Sequence, residues 1–328
     1  VILAIETSCD DTCAAVVQRD GAIRANVISS QGIHDRYGGV VPEIAARHHL
    51  ELVDVAVEDA LAQAGAGLDE VELVAVTQGP GLVGALLIGV SEAKALAAAR
   101  DLPLAPVDHL QGHVAANFLA PDPFAPPFLC LIASGGHTLL AHVTEHDGFD
   151  VLGATLDDAA GEAFDKGARM LGLGFPGGPA LSRLAEGGDP QAVAFPTAHN
   201  VASLDFSFAG IKTALLYALR DDPDFDRADL AASYQRAIVE QLAQRTERAL
   251  RETGLRRLAI GGGVAANRLL RARLRELDVD ALHVPPPELC TDNAAMIASA
   301  ARFVTPLAPD EYLGLDAYAT GQPAPTGL

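Results

Sequence analysis

The sequence predicts a duplicated α/β fold, two similar lobes facing each other across a ligand cleft, and three observations carry that expectation. An apolar strand, a polar turn and two further strands occupy residues 1–29, and the same order returns at 128–154. Helical periodicity then takes over, at 43–64 in the first half and at 229–253 in the second. No low-complexity linker separates the halves, so lobes 1–120 and 121–328 are expected to pack closely around a shared cleft. A chain of 328 residues is long enough for two such lobes rather than one core.

In order, residues 1–7 read as a buried strand closed by Ser8-Cys9-Asp10-Asp11-Thr12, and strands follow at 13–18 and 22–29, reversed at Asp20-Gly21. A loop with paired glycines leads to Pro42, which suits the first position of a helix over 43–64. A strand at 71–77 ends in Gly79-Pro-Gly-Leu-Val-Gly84, which opens an Ala-rich helix to about Arg100. A short strand at 104–107 leads into Val107-Asp-His-Leu-Gln-Gly-His-Val114. In the second half, strands at 128–133 and 138–143 flank the tight turn Ser134-Gly-Gly-His137, and a third strand covers 149–154. Helices are expected at 157–171, from 180, at 208–219, 229–253 and 291–303, with a loop over 187–205. Residues 258–267 read as a strand, a glycine turn and a helix start, and the Pro- and Gly-punctuated tail from Thr305 is expected to wrap the surface.

About half the residues are apolar and one fifth are charged, the profile of a soluble globular protein. No apolar run approaches the roughly 18 residues of a membrane helix, and the opening apolar run has no basic segment before it. A cytoplasmic chain with no membrane partner is expected. Cys9, Cys13, Cys130 and Cys290 are scattered and read as free thiols. The net charge of -20 argues against broad, nonspecific binding to nucleic acid or anionic membrane. Between Arg245 and Glu276, however, nine arginines stand against three glutamates. That stretch reads either as a phosphate footprint or as a solvated helix face in an arginine-preferring chain.

His109 and His113 carry the chemistry. Four residues apart on a helix, they lie on one face and can reach one metal ion, although such pairs also occur as ordinary satisfied histidines. Asp292, in Cys290-Thr-Asp-Asn-Ala-Ala-Met296, is the best candidate for a third ligand. A zinc peptidase of the H-E-x-x-H type is excluded on its own motif, because Leu110 stands where its general base belongs. Three turns suit phosphate: Ser134-Gly-Gly-His137, the acidic turn 7–12 with a counter-ion, and Gly261-Gly-Gly263 before a helix. Asp157 and Asp158 are read as the N-terminal acids of a helix, with Asp158, Glu162 and Asp165 on one face. Asn267 suits either an N-cap or a ribose contact.

Together these motifs resemble the tRNA N6-adenosine threonylcarbamoyltransferase family of the bacterial TsaD type, formerly described as a sialoglycoprotein endopeptidase. The resemblance runs nearly the whole chain. Its carriers are Ile5-Glu-Thr-Ser-Cys-Asp-Asp-Thr12, Tyr37-Gly-Gly-Val-Val-Pro-Glu43, His109-Leu-Gln-Gly-His113, Ser134-Gly-Gly-His-Thr138 and Asp157-Asp-Ala-Ala-Gly-Glu-Ala-Phe-Asp-Lys166. Pro176-Gly-Gly-Pro179, Asp205-Phe-Ser-Phe-Ala-Gly-Ile-Lys212, Gly261-Gly-Gly-Val-Ala-Ala-Asn267 and Cys290-Thr-Asp-Asn293 extend it.

The resemblance implies the actin/Hsp70/sugar-kinase (ASKHA) fold and one divalent metal, iron (Fe2+) or zinc (Zn2+), on His109, His113 and Asp292. It implies that Ala133, Ser134, Gly135, Gly136, His137, Asp165, Gly178 and Asn267 bind threonylcarbamoyl-AMP. The group would pass to N6 of adenosine 37, in the anticodon arm of tRNAs that read codons starting with A, with release of AMP. A small paralogue of this fold and a P-loop ATPase are the implied partners. No catalytic side chain is named, so the general base is left unassigned. The chain departs from the family pattern at Gln111, where Glu is usual, and has no Trp. The competing expectation is a small-molecule kinase or ATPase of the same fold, which has no need of the His/His/Asp set.

Overall fold

In the computed structural model, which describes residues 1–197 and 203–322, two five-stranded sheets form the frame. The first contains β1 (Ile2–Glu6), β2 (Asp11–Val17), β3 (Ile23–Ser30), β4 (Leu73–Gly79) and β5 (Leu104–Asp108), in the order β3-β2-β1-β4-β5. The second contains β6 (Phe128–Ala133), β7 (Thr138–Val143), β8 (Phe149–Ala154), β9 (Arg257–Gly261) and β10 (Ala281–His283), in the order β8-β7-β6-β9-β10. Strand for strand the two orders coincide. In each, the first three strands run antiparallel and the fourth joins the first in parallel, with the fifth parallel to the fourth. The duplication visible in the two opening strand blocks therefore extends to the whole sheets.

The helices are α1 (Pro42–Ala64), α2 (Val83–Arg100), α3 (His109–Ala115), α4 (Ala160–Met170) and α5 (Gly177–Ala185), followed by α6 (Ala209–Asp221), α7 (Arg227–Thr253), α8 (Arg268–Arg275), α9 (Pro287–Cys290) and α10 (Ala294–Ala301). They cover both faces of both sheets, which is why the central strands read as continuous apolar runs. Successive side chains alternate between faces. Leu3 and Ile5 pack outward with Val53, Val57 and Val90 of α1 and α2. Ile2 and Ala4 face inward and share one cluster with Phe128, Cys130 and Ile132 of β6. Leu129 and Leu131 turn outward onto Phe164 of α4 and Tyr234 and Ile238 of α7.

The inner cluster also takes in Val114 and Ala115 of α3 and Met296 and Ile297 of α10. These two helices approach closely at Gly112, where a Cβ would lie 2.8 Å from Ile297 Cδ1. Small residues at the crossing thus bring the His-bearing helix against the one that follows Asp292.

Several expected boundaries shift. The helix expected at 157–171 starts only at Ala160, and that at 291–303 only at Ala294, because Asn293 caps it by accepting from Met296 N at 3.0 Å. The loop before α1 contains a 3₁₀ turn, Gly32–Tyr37. β10 was not expected, being only three residues long and half-buried, too short to show a period. Residues 198–202 of the expected loop and 323–328 of the tail lie outside the described residues. Among the described residues no helix is long and apolar enough to cross a membrane.

Candidate metal centre and adjoining glycine turns

Helix α3 starts directly at the end of β5. Asp108 caps it, accepting from Leu110 N at 2.8 Å and Gln111 N at 3.0 Å. His109 and His113 then project from one side, their ring centroids 4.7 Å apart. Asp292 sits in the extended link between α9 and α10 and meets them: its Oδ1 is 3.6 Å from His109 Nε2 and 3.3 Å from His113 Nε2. One ligand atom from each residue lies within 4.8 Å of the others. The segment after the fifth strand of the first sheet supplies both histidines, and the corresponding segment of the second sheet supplies the aspartate.

The hydrogen bonds favour a shared ion over a satisfied polar cluster. His113 is fully buried, yet among the described residues neither ring nitrogen has a hydrogen-bond partner, its Nε2 lying 3.3 Å from Asp292 Oδ1. Two such orphans would cost roughly 1–3 kcal/mol each, a large share of the stability of an ordinary domain. His109 is held differently. Its Nδ1 donates to Glu6 Oε2 at 3.0 Å and lies 3.2 Å from Ser8 Oγ, which leaves Nε2 aimed at Asp292. A carboxylate that fixes one imidazole nitrogen and frees the other is the usual support of a metal-binding histidine.

Glu6 is itself fully buried, accepts from Thr77 Oγ1 at 2.5 Å and from the Ser8 amide, and is ionised below its ordinary range because His109 outweighs the cost of burial. Burial opposes a charge on His109 too, but Asp292 and Glu6 prevail and raise it to about 9. Burial likewise works against Asp292, and His109 and His113 hold it well below the usual carboxylate value. The sequence reading missed Glu6, although a lone acid closing the run Ile2-Leu-Ala-Ile5 was the signal for it.

The Ser134–His137 turn adjoins the triad. His137 and His109 have ring centroids 6.0 Å apart. Burial, with His109 and His113 nearby, pushes His137 down to about 4, so the ring is neutral, and its buried Nε2 has no partner among the described residues. The turn is closed by Ser134 N to the His137 carbonyl at 2.8 Å and His137 N to Ser134 Oγ at 3.1 Å. Among the described residues the Gly135 and Gly136 amides have no acceptor and a Cβ on either would meet nothing, although Gly161 of α4 packs on the Gly135 backbone from one side. Gly262, at φ +84°, packs against this turn, and a Cβ there would strike the Ala133 carbonyl. The two glycine turns of the second lobe thus meet beside the histidines. On the facing turn, burial raises Asp10 and takes Asp11 to about 7, aided by Asp292.

The remaining expected residues have definite positions. Asp165 Oδ1 accepts from the amides of Gly177 at 2.8 Å and Gly178 at 3.3 Å. Asn267 is an N-cap: Oδ1 accepts from Leu270 N at 3.0 Å, and its amide donates to Gln235 Oε1 at 2.9 Å and Ser182 Oγ at 3.2 Å. The one-face reading of Asp158, Glu162 and Asp165 is corrected. Asp158 precedes the helix and lies between Lys166 at 2.7 Å and Lys212 at 2.5 Å, Glu162 pairs with Lys166, and Asp165 turns away. Asp157 is not in the first turn of α4 either; it accepts from Phe208 N and Ala209 N at the start of α6.

About half of the arginine stretch is neutralised within the chain. Arg248 pairs with Glu252, Arg251 with Glu247, Arg256 with Asp278 and Asp280, and Arg273 with Glu240. Arg257 covers the Phe124 ring and donates to the Ala125 carbonyl. These pairs favour a solvated helix face over a phosphate footprint.

Residues 22–299 match the family described as TsaD, tRNA N6-adenosine threonylcarbamoyltransferase. The chain belongs to this family. Relatives bearing that description include one from Symbiobacterium thermophilum, 53% identical over 311 residues, covering 93% of this chain and 91% of the relative. Another, from Trichlorobacter lovleyi, is 50% identical over 330 residues and covers 98% and 96%. Among solved structures, full-length HypF in its phosphate- and nucleotide-bound form superposes with a TM-score of 0.58 at 15% identity, over 92% of this chain and 54% of that one. The (R)-2-hydroxyglutaryl-CoA dehydratase component A of Acidaminococcus fermentans gives 0.55 at 16%, over 95% and 97%. At these identities the two structures share the ASKHA-type fold with this member of the threonylcarbamoyltransferase family.

Proposed function

We propose that the chain transfers the threonylcarbamoyl group of threonylcarbamoyl-AMP to N6 of adenosine 37 in tRNAs that read codons starting with A. The convergence of His109, His113 and Asp292 with the Ser134–His137 turn carries this reading, because it sets a cation site beside an anion site in one cleft. The orphaned Nε2 of His113 and the Glu6-oriented His109 fit a divalent metal, Fe2+ or Zn2+, whose borderline character matches two imidazoles and a carboxylate. When bound, the metal supplies Lewis-acid polarisation of the carbamoyl oxygen.

The chain's own groups do the rest. The free amides of Gly135 and Gly136 hold the phosphate of AMP, as backbone N–H groups in an open turn do. Asp165 fixes the Gly177–Gly178 turn, so Gly178 lines the adenylate, while Asn267 sets the start of α8 at its edge. Neutral His137 borders the phosphate without adding charge. N6 attacks the carbamoyl carbon; the new C–N bond forms, the bond from that carbon to the phosphate oxygen breaks, and AMP departs while N6 loses a proton. A small paralogue and a P-loop ATPase acting with this chain would supply the positive surface that a chain of charge -20 lacks.

The test pairs elemental analysis of the chain and of His109→Ala with an assay, partners present, for labelled threonine passing from the adenylate to tRNA. About one iron or zinc per chain, lost together with transfer in the variant, is expected. Full transfer without metal would reduce the triad to a structural element. Phosphorylation of a small molecule in place of transfer would favour the kinase reading.

A further inference from the structure

The segment after α10 is tied along one edge of the first sheet. Leu307 and Leu104 exchange backbone hydrogen bonds at 3.0 and 2.8 Å, so the segment begins by pairing with edge strand β5. Lys94 Nζ then donates to the Leu313 carbonyl at 3.1 Å and to that of Leu315. Gln78 Nε2 donates to the Asp316 carbonyl at 2.9 Å, and Tyr318 N to the Gln78 carbonyl at 3.2 Å. Thr320 N donates to the Gly81 carbonyl at 3.3 Å. This strap ends beside the base of α3.

There Tyr318, only 5% exposed, points its phenol at Asp108. The phenol oxygen lies 2.5 Å from Asp108 Oδ2, with the Gly79 carbonyl at 2.8 Å. A phenol has one proton, and the charged acceptor at the shorter distance takes it. The ring fits because β4 ends in glycine: a Cβ at Gly79 would lie 2.8 Å from the Tyr318 ring and 2.5 Å from its carbonyl. Burial and the Asp108 carboxylate push the phenol well above its ordinary value, so it remains a donor. The other oxygen of Asp108 is the N-cap of α3, and the next residue is His109.

We propose that Tyr318 is a positioning residue for the metal centre. It fixes one carboxylate oxygen of Asp108, the other fixes the first turn of α3, and that turn sets His109 against Asp292 across the cleft. The inference rests on the metal reading of the triad. Without the phenol, Asp108 Oδ2 has no partner among the described residues, and the cap is free to rotate about its side-chain bonds. Groups that hydrogen-bond a metal ligand directly are commonly worth about 10–100-fold in affinity; Asp108 acts on His109 only through the helix backbone, so a smaller loss, roughly 5- to 10-fold, is expected.

The test is a cobalt(II) titration of the full chain against a competing chelator, read from the visible d–d bands, for wild type, Tyr318→Phe, Asp108→Ala and the double variant. Melting temperatures are taken in parallel. Tyr318→Phe should bind cobalt about 5- to 10-fold more weakly, with altered band intensities and a melting temperature lower by only a few degrees, so that the chain is fully folded at the temperature of the titration. In the Asp108→Ala background it should add nothing further. Asp108→Asn, whose amide oxygen still caps the helix, should recover much of the affinity lost in Asp108→Ala. Tight cobalt binding by wild type that is unchanged in Tyr318→Phe, or independent effects of the two single changes, would overturn the positioning role alone. Absence of cobalt binding by wild type would overturn the metal reading and this inference with it.

Discussion

The turn between β1 and β2 and the turn between β6 and β7 occupy the same place in the repeat and both adjoin His109, yet their chemistry is opposite. The first carries Asp10 and Asp11, closes on Glu6 and supports His109 through Ser8. The second offers Gly135 and Gly136 amides that have no acceptor among the described residues. A phosphate would be repelled by the first and cradled by the second; a cation would prefer the reverse. Duplication therefore preserved the frame and let two equivalent turns specialise. The triad repeats the lesson, since equivalent segments after β5 and β10 supply histidines on one side and an aspartate on the other.

Removing either lobe's share of the triad should have the largest effect. Asp292→Ala or His113→Ala should each abolish stoichiometric metal and lower transfer by at least about 10³-fold, because Lewis-acid stabilisation is worth several kcal/mol. Equal loss from both sides would establish that the site belongs to both lobes, whereas loss from only one would break the comparison. Next in size is Glu6→Gln, which keeps the shape of the side chain but weakens its hold on His109 Nδ1; metal affinity should fall roughly 10- to 100-fold in a chelator competition. A wild-type affinity in that variant would leave Glu6 as a buried acid satisfied by Thr77 and Ser8 alone. Gly136→Asp should be smaller and more selective. It gives the second turn the charge of the first in a place where a side chain meets no neighbour, so KM for the adenylate should rise about tenfold with an unchanged melting temperature. An unchanged KM would remove this turn from the phosphate site.

Much of this arrangement was legible in the residues. The repeated strand blocks gave the two sheets, because alternation and turn residues are local signals, and the spacing of His109 and His113 placed both rings on one face. What escaped depends on tertiary partners. β10 is too short to carry a period, and its place in the sheet comes from pairing with β9. Glu6 reads as the end of a strand until His109 is brought to it from more than a hundred residues away. Asp157 and Asp158 have the composition of a helix N-terminus, yet they serve α6 and two lysines instead, so the helix starts later. The arginine stretch could not be resolved from charge alone, since Glu240, Asp278 and Asp280 had first to fold against it.

The Asp158 cluster provides the smallest effect and a control on the rest, because among the described residues it makes no hydrogen bond or ion pair to the triad. Burial alone would raise the Asp158 carboxyl, but the hydrogen bonds and charges of Lys166 and Lys212 outweigh it and hold the group below its ordinary value. A carboxyl held lower in the folded than in the unfolded chain stabilises the fold above its unfolded pKa of about 3.9 and loses that contribution as pH falls through its folded value. Asp158→Asn should therefore destabilise the chain near pH 7, by on the order of 1 kcal/mol given that both lysines are partly exposed. The gap from wild type should shrink below about pH 4, read as converging urea midpoints at pH 3.5. A gap of equal size at both pH values would mean that Asp158 acts through its shape and neutral hydrogen bonds. Cobalt affinity should be unchanged in this variant. A loss of affinity would show that the Asp158 cluster, and not Asp292 alone among the second lobe's acids, acts on the metal centre, and that the division of labour between the two turns is less complete than their side chains imply.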